Sequence, residues 1–304
     1  MALLTRPKAL RPGATIGVAA ISGPVDEGKL EAGIARLRAK GFGVVEAANL
    51  RLRRGLFAGT DEERAAGYLE LVRSPAVDAI FFARGGYGAA RVLPLLSASE
   101  IRASPKIHLG GSDLTALFAW LHREAGLVAF YGPMVAVEMA SEDGLDWEAV
   151  LAGALPPAHR FAPEDVLSPG RADGQIVGGC LSLLASLAGT PQALSAEGSV
   201  LFWEDAGEPA YRLDRMITQL EQAGTFDRLR GMVIGSLVPP AGEAPDALRG
   251  WLAERFRGAP FPVAMNVPGG HLSRPRTLPL GVRVLLTPGS EGGLSYLEPG
   301  VERL

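Results

Sequence analysis

Short apolar runs alternate with helix-length amphipathic segments through the first half of the chain. The run TIGVAA at 15–20 is continuously apolar, as in a parallel strand that is buried on both faces. The following segment, KLEAGIARLRAKG, places Leu30, Ile34 and Leu37 at helical spacing. Further apolar runs at VVEA, AVDAIFFA, IHL and LVAF predict four more strands between helical segments. This alternation predicts a doubly wound, flavodoxin-like parallel sheet over residues 1–150, with a ligand site beyond the carboxyl ends of its strands.

The pattern lapses over 151–175, where Pro, Gly and Ala predominate without a clear period, so this segment is predicted to be a domain linker. Beyond it, strands at VLFW, MVIGSL, VRVLLTP and LSYLEP mix with helices in a less regular order. Residues 176–304 are therefore predicted to form a second α/β domain.

Composition and charge give no support to several classes of protein. A net charge of −3 gives no indication of a nucleic-acid partner or of an anionic membrane surface. No apolar run approaches the ~18–20 residues that span a bilayer. The N-terminal stretch ATIGVAAISG is better explained as a buried first strand than as an export signal. Cys180 is the single cysteine, which excludes an internal disulfide and fits a reducing compartment, so a cytoplasmic protein is expected.

The sequence IHLGGSDLTALFAWLHRE at 107–124 is the first candidate for chemistry. Leu114, Leu117, Phe118 and Leu121 follow helical spacing, so a helix is predicted to begin at or just after Ser112. Ser112 is then either an ordinary helix N-cap or a nucleophile exposed on a strand–turn–helix elbow. The usual GxSxG elbow is not present, because Leu114 replaces the last glycine.

A serine nucleophile needs a base, and the chain has four histidines. His108 lies roughly 13 Å before Ser112 along an extended strand, and His122 lies roughly 15 Å after it along a helix. Neither reaches Ser112 within its own element. His159 lies in the predicted linker and is expected to face solvent, whereas His271 follows VPGG in a loop and is the best candidate.

Two other turns carry candidate groups. The segment VLFWEDAGEPAYRLDR presents Glu204, Asp205 and Glu208 just past a buried strand, where one carboxylate could orient a histidine. The turn ARGGYGAARV begins like a dinucleotide fingerprint, but Arg91 stands where the third glycine should be. No cofactor is therefore expected, and the bare backbone N–H groups of this turn could face an anion.

Several motifs together resemble the LD-carboxypeptidases, a family of serine peptidases that includes muramoyltetrapeptide carboxypeptidase and the microcin C immunity enzymes. They are RGGYG (84–88), GGSDLTAL (110–117), YGPM (131–134), LFWEDAGEPAYRLDRM (201–216) and GGHLSRPRTLPLG (269–281), and they span nearly the whole chain. The resemblance implies a parallel α/β domain, a smaller β-rich C-terminal domain and a site between them. One departure is Cys180, which stands where the family usually has an asparagine.

The resemblance also implies roles for individual residues. The nucleophile would be Ser112, the base His271 and the orienting carboxylate Glu204, with the backbone N–H groups of Asp113 and Gly86 as oxyanion donors. We expect substrate contacts at four further residues, which are Arg84, Gly85, Tyr87 and Gly111.

The resemblance finally implies a reaction that needs no metal, carried out by a cytoplasmic homodimer. Hydrolysis would release the terminal D-alanine from murein tetrapeptides during wall recycling. Two alternatives stay open, namely cleavage of peptidyl- or aminoacyl-nucleotides, as in the microcin immunity branch, and a non-catalytic ligand-binding α/β protein. A metal-dependent hydrolase is not favoured, because the sequence has no HExxH motif and no clustered ligand spacing.

Overall fold

The computed structural model describes residues 4–241, 245–289 and 292–302. Its first part contains five strands, β1 (Thr15–Ala19), β2 (Gly43–Glu46), β3 (Ala79–Phe82), β4 (Ile107–Gly110) and β5 (Ala129–Tyr131). The helices of this part are α1 (Glu27–Ala39), α2 (Asp61–Arg73), α3 (Ala89–Val92), α4 (Ala98–Ala103), α5 (Thr115–Trp120), α6 (Glu138–Ser141) and α7 (Trp147–Leu151).

The second part begins with β6 (His159–Arg160), β7 (Val166–Ser168), β8 (Ala172–Cys180), α8 (Leu181–Leu187), β9 (Val200–Ala206) and α9 (Ala210–Gln222). It continues with β10 (Gly231–Val238), α10 (Pro245–Arg255), β11 (Val263–Ala264), β12 (Leu278–Leu280), β13 (Arg283–Leu286) and β14 (Gly293–Tyr296). None of the helices in the described part of the chain has the length and apolarity needed to cross a membrane.

The first sheet has the strand order β12-β5-β4-β3-β1-β2. Strands β2-β1-β3-β4-β5 are parallel and follow the flavodoxin order, which confirms the fold predicted from the sequence. The sequence did not predict β12, which comes from the second part of the chain and pairs antiparallel with β5. The turns after β1, β3 and β4 lie together at the carboxyl edge of this sheet.

The second sheet has the order β6-β14-β13-β8-β9-β10-β11-β7. Its centre, β8-β9-β10-β11, is parallel, and the flanking strands are antiparallel. A second apolar core forms between this sheet and helices α8, α9 and α10, with Leu181, Trp203 and Leu252 fully buried. The second part is thus an α/β unit with more strands than helices.

The segment 151–175 contains more regular structure than its composition indicates. Strands β6 and β7 lie within it and join the second sheet. His159 was expected to face solvent, and this expectation is wrong, because its ring is partly buried in β6 and packs edge-on against Phe161 at 5.0 Å. The division of the chain at this segment stays a prediction.

Local signals in the sequence explain how individual helices begin and pack. The Thr60 side chain accepts a hydrogen bond from the Glu63 backbone while the Glu63 carboxylate accepts one from the Thr60 N–H, which is the predicted capping box of α2. In α1, Gly33 lies against the backbone after β5, and a Cβ there would come 1.9 Å from the Val135 carbonyl oxygen. Helix α1 therefore needs a glycine at this contact.

We expect Gly33→Ala and Gly28→Ala, two equal changes within α1, to have opposite effects on stability. At Gly28 a Cβ would meet only the Asp26 side chain at 3.4 Å, so alanine gains helix propensity of up to ~1 kcal/mol. At Gly33 the backbone clash should outweigh that gain and destabilise the fold by ~1–3 kcal/mol. Urea denaturation of both variants measures the difference. A Gly33→Ala protein as stable as Gly28→Ala would contradict the close packing of α1.

Candidate active site

Ser112 lies in a turn directly beyond the carboxyl end of β4. Residues 112–114 form a 3₁₀ turn that leads into α5, so the helix begins less regularly than its apolar spacing predicts. Gly111 occupies the N-cap position of this turn, so the capping residue is not Ser112. Its φ of 58° lies in the left-handed region, which is uncommon for a residue other than glycine. The geometry therefore does not fit an ordinary N-cap, and it holds the hydroxyl on a sharp turn.

Gly85, in the turn after β3, faces this hydroxyl. A Cβ at Gly85 would lie 2.8 Å from the Ser112 Cβ, 3.0 Å from its Oγ and 3.3 Å from the backbone nitrogen of Asp113. Only a residue without a side chain therefore lets the turn after β3 lie this close to Ser112 and to the Asp113 amide.

The Asp113 carboxylate joins three loops at the edge of the first sheet. It accepts hydrogen bonds from the Ser22 hydroxyl at 2.6 Å and from the Ala89 N–H at 2.8 Å. Burial raises the pKa of Asp113, and these two donors oppose that shift. This carboxylate fixes the Ser112 turn against the loops that follow β1 and β3.

Glu204 and His271 form a hydrogen-bonded pair on the second sheet. Glu204 is fully buried near the end of β9, and its Oε2 lies 2.7 Å from His271 Nδ1 and 3.1 Å from the His271 backbone nitrogen. The hydrogen bond to Glu204 raises the pKa of His271, and burial opposes this shift. Since Nδ1–H donates to the carboxylate, Nε2 of the neutral ring is free to accept a proton.

Tyr131, the last residue of β5, connects the Ser112 turn to Glu204. Its hydroxyl accepts a hydrogen bond from the Ser112 N–H at 2.8 Å and donates one to Glu204 Oε1 at 2.6 Å. The three residues that the sequence proposed as a triad are therefore joined by one hydrogen-bond network.

A second connection between the two sheets runs through Thr115. Its hydroxyl donates to the Ser112 carbonyl at 2.7 Å and accepts from the Cys180 N–H at 2.9 Å. Cys180 itself is buried, and burial raises the pKa of its thiol well above the usual range. It therefore contributes a backbone contact rather than a reactive thiolate.

The other histidines are engaged elsewhere. His108 is buried between the Tyr68 hydroxyl, 2.8 Å from Nε2, and the Lys106 carbonyl, 2.9 Å from Nδ1. His122 is buried, with no hydrogen-bond partner for its Nε2 among the described residues. Burial lowers the pKa of both to about 4.

The two other candidate carboxylates also have separate roles. Asp205 accepts from the backbone N–H groups of Ser182 and Ala206, both at 2.8 Å, and so holds the start of α8 against β9. Glu208 pairs with Arg212 at the surface. No group of three or more His, Cys, Asp or Glu side chains in the described ranges could hold a metal ion.

The residues expected to contact substrate differ in how close they lie to this hydrogen-bond network. Gly86 has a φ of 113° and lies next to Gly85, while Gly111 directly precedes the Ser112 turn. Arg84 donates to the carbonyls of Pro24 and Gly85 at 3.1 and 3.2 Å. Tyr87 is half exposed and packs against the Phe57 ring at 5.6 Å, on the outer side of the loop.

A groove of about 540 Å³ opens beside the histidine loop. Leu272 and Ser273, which directly follow His271, form one wall, and Lys29 and Glu138 line the other side. Burial raises the pKa of Glu138, whose carboxylate accepts from the Met134 N–H at 2.9 Å. The groove therefore places apolar and charged side chains close to His271, the candidate base.

Sequence reasoning assigned no role to Tyr131 or Thr115. Both lie inside motifs that carried the resemblance, YGPM and GGSDLTAL, but each acts through an atom on the opposite sheet. Tyr131 and Thr115 meet these partners only when the two sheets pack against each other.

Comparison with known proteins assigns the class. Residues 16–132 match the LD-carboxypeptidase N-terminal domain, and residues 173–286 match the LD-carboxypeptidase C-terminal domain. A Streptomyces coelicolor protein whose name places it among the carboxypeptidases is 41% identical, over 92% of each chain. The murein tetrapeptide carboxypeptidase of Pseudomonas aeruginosa is 30% identical, over 84% of this chain and 88% of that protein.

The fold agrees with this class. The structure of the microcin C7 self-immunity protein MccF in complex with aspartyl sulfamoyl adenosine superposes with a TM-score of 0.87, at 25% identity, over 98% of this chain and 99% of that one. The chain belongs to the LD-carboxypeptidase family of peptidases.

We expect the four histidines to separate in a pH titration followed by NMR of the imidazole nitrogens. The carboxylate of Glu204 stabilises the imidazolium, so His271 should titrate above the ordinary ~6.5. Burial should place His108 and His122 near pH 4 and His159 below its ordinary value.

Single His→Asn variants assign the signals of this titration. Glu204→Gln should lower the pKa of His271, because the negative partner is lost. A wild-type His271 that titrates at or below ~6.5 would contradict the charged pair.

Proposed function

We propose that this protein is a serine-type LD-carboxypeptidase that releases the terminal D-amino acid from murein peptides. The observation that carries the proposal is the strained Ser112 turn, in which Ser112 has a φ of 58° and does not occupy the N-cap position. The Ser112 amide is linked through Tyr131 to the Glu204–His271 pair. A helix cap, the other interpretation of Ser112, would need a side-chain hydrogen bond at this position.

The proposed reaction is acyl transfer through Ser112. His271 Nε2 removes the Ser112 proton as Oγ attacks the scissile carbonyl, and Glu204 stabilises the imidazolium that forms. His271 then gives that proton to the departing amine, and the terminal amino acid leaves. Water, deprotonated by His271, hydrolyses the acyl-enzyme and regenerates the serine.

The oxyanion of this reaction would be bound by backbone N–H groups. The Asp113 N–H, which directly follows Ser112 in the turn, is the first proposed donor. The Ser112 N–H already donates to Tyr131, so it is occupied. The N–H of Gly86 is the proposed second donor, from the facing loop. Such preorganised donors contribute ~3–4 kcal/mol each to transition-state binding.

Support for a murein substrate comes from the relative named a murein tetrapeptide carboxypeptidase. The groove next to His271 has room for the acyl part of a peptide, with charged side chains at Lys29 and Glu138. A second candidate is an aminoacyl-nucleotide, because the structural relative MccF was solved with aspartyl sulfamoyl adenosine. The family resemblance further implies a cytoplasmic homodimer, and sedimentation of the purified protein would test the oligomeric state.

The two candidate substrates can be compared directly. The purified protein is incubated with a murein tetrapeptide and, separately, with aspartyl sulfamoyl adenosine, and products are identified by mass spectrometry. We expect loss of one D-alanine from the tetrapeptide at the higher kcat/KM. A higher kcat/KM on the nucleotide would assign the protein to the second function, and no turnover of either would overturn the proposal.

Ser112→Ala should abolish hydrolysis and keep the fold, because Ser112 is not the capping residue of its turn. Ser97→Ala is the matched control, since Ser97 does cap α4 through the Glu100 N–H. The control should lose ~1 kcal/mol of stability and keep its activity. Turnover and urea denaturation of both proteins measure the two effects, and an active, folded Ser112→Ala protein would remove the nucleophile assignment.

Gly85→Ala should reduce kcat/KM by ~100-fold or more, because its Cβ would clash with the Ser112 Cβ at 2.8 Å and displace the Ser112 hydroxyl. Gly13→Ala is a control for an alanine at a glycine with no neighbour within 4 Å. Its φ of 77° makes it destabilising without any contact to the site. Full activity in Gly85→Ala would show that the position of the Ser112 hydroxyl does not depend on this close contact.

A further inference from the structure

The Tyr131 hydroxyl lies at the contact between the nucleophile turn and the orienting carboxylate. It is buried, with 2% of the residue exposed, and it contacts Ser112 N at 2.8 Å and Glu204 Oε1 at 2.6 Å. Ser112 belongs to the edge of the first sheet and Glu204 to the second. A single hydroxyl therefore connects the two halves of the proposed triad.

The direction of both hydrogen bonds is fixed by the donors available. The Ser112 N–H can only donate, so the phenol oxygen accepts from it. The single phenol proton then points to the carboxylate, which can only accept when ionised. Burial and the neighbouring Glu204 raise the pKa of Tyr131 well above the usual range, so this proton stays on the phenol.

The network leaves Glu204 no freedom to rotate. One carboxylate oxygen is held by Tyr131, and the other accepts both the backbone N–H and the Nδ1–H of His271. A turn of the carboxylate about its own axis would break all three bonds. The orientation of the His271 ring therefore depends on a residue that never contacts it.

The same hydroxyl holds the Ser112 backbone in its uncommon conformation. At a φ of 58° the Ser112 N–H points to Tyr131, and the Ser112 carbonyl accepts from Thr115. Both peptide groups of the turn are thus anchored. The ring of Tyr131 is fixed in turn by edge-on contacts with Phe118 at 6.3 Å and Phe202 at 5.6 Å.

We propose that Tyr131 is a positioning residue: it holds the Ser112 hydroxyl and the His271 ring, which come from different sheets, in fixed positions relative to each other. The proposal rests on the proposed function of this site. It predicts effects on the histidine as well as on the rate, because loss of the hydroxyl changes the hydrogen bonding of the carboxylate that His271 contacts.

The test is Tyr131→Phe, which keeps the ring contacts and removes the hydroxyl. We expect kcat to fall by ~10–100-fold with little change in KM. Without the phenol donor the Glu204 charge is less stabilised, so it should hold the imidazolium more strongly. The pKa of His271 and the acidic limb of kcat/KM should both move to higher pH. Asp205 and Glu138, the other carboxylates that act on His271, are unchanged.

Tyr68→Phe is the matched control. It also removes a buried hydroxyl, which lies on helix α2 and is 2.8 Å from His108 Nε2 of the same sheet as Tyr131. It should lower the midpoint of urea denaturation and leave kcat and the pKa of His271 unchanged. If both variants lost activity and stability alike, with His271 unshifted, Tyr131 would be structural only and the proposal would fail.

A second measurement covers a Tyr131→Phe protein that does not fold. Introducing 3-fluorotyrosine at position 131 alone keeps the hydroxyl and makes it a stronger donor, so the pKa of His271 should fall. An unshifted His271 would overturn the proposal. The NMR titration does not need turnover, so it separates failure of this inference from failure of the proposed function.

Discussion

A buried carboxylate organises the site. Glu204 has no solvent exposure, and an ionised carboxylate in an apolar interior is very costly unless it is fully hydrogen-bonded. The donors that satisfy it come from two sources, the Tyr131 hydroxyl on the first sheet and the His271 loop on the second. The stability of this charge and the geometry proposed for catalysis therefore depend on the same three hydrogen bonds.

The site also requires two loops to bring their backbones very close to Glu204 and Ser112. A Cβ at Gly270 would lie 2.4 Å from Glu204 Oε2, so only glycine allows the histidine loop to reach the carboxylate. Gly85 has the equivalent role on the other side, where it lies against Ser112. Apolar and aromatic packing sets the distance between the two sheets, and glycine allows the loops to meet in that space.

Much of this arrangement can be predicted from the sequence. The parallel order β2-β1-β3-β4-β5 follows from continuous apolar runs that alternate with helical spacing, and the Thr60 capping box from two residues. Ser112, Glu204 and His271 were proposed from spacing and motif together, and their contacts now give that proposal a geometry, although their roles stay predictions. Tyr131 could not be predicted as a link, because its partners are 19 and 73 residues away along the chain.

Three of the strands that the sequence did not predict, β6, β7 and β12, share a physical cause. β6 has two residues and β7 and β12 have three, too few for a period to emerge above the local composition. In β12 the sequence LPL contains Pro279, which lacks an N–H and is typical of an edge strand or a loop. Tertiary pairing, not local preference, makes these segments strands.

The position of β12 affects both synthesis of the chain on the ribosome and any attempt to express its first part alone. Its Leu278 pairs with Tyr131, so the edge of the first sheet is covered by residues that leave the ribosome long after it. Until then the nascent chain presents β5 as an open edge, available to other chains. A fragment ending at the predicted linker would expose the same edge permanently. The two parts of the chain share one apolar core, which includes Phe202 and Val284 of the second part, and β12 joins them further. A gene cut between them would therefore yield a first half with an incomplete sheet.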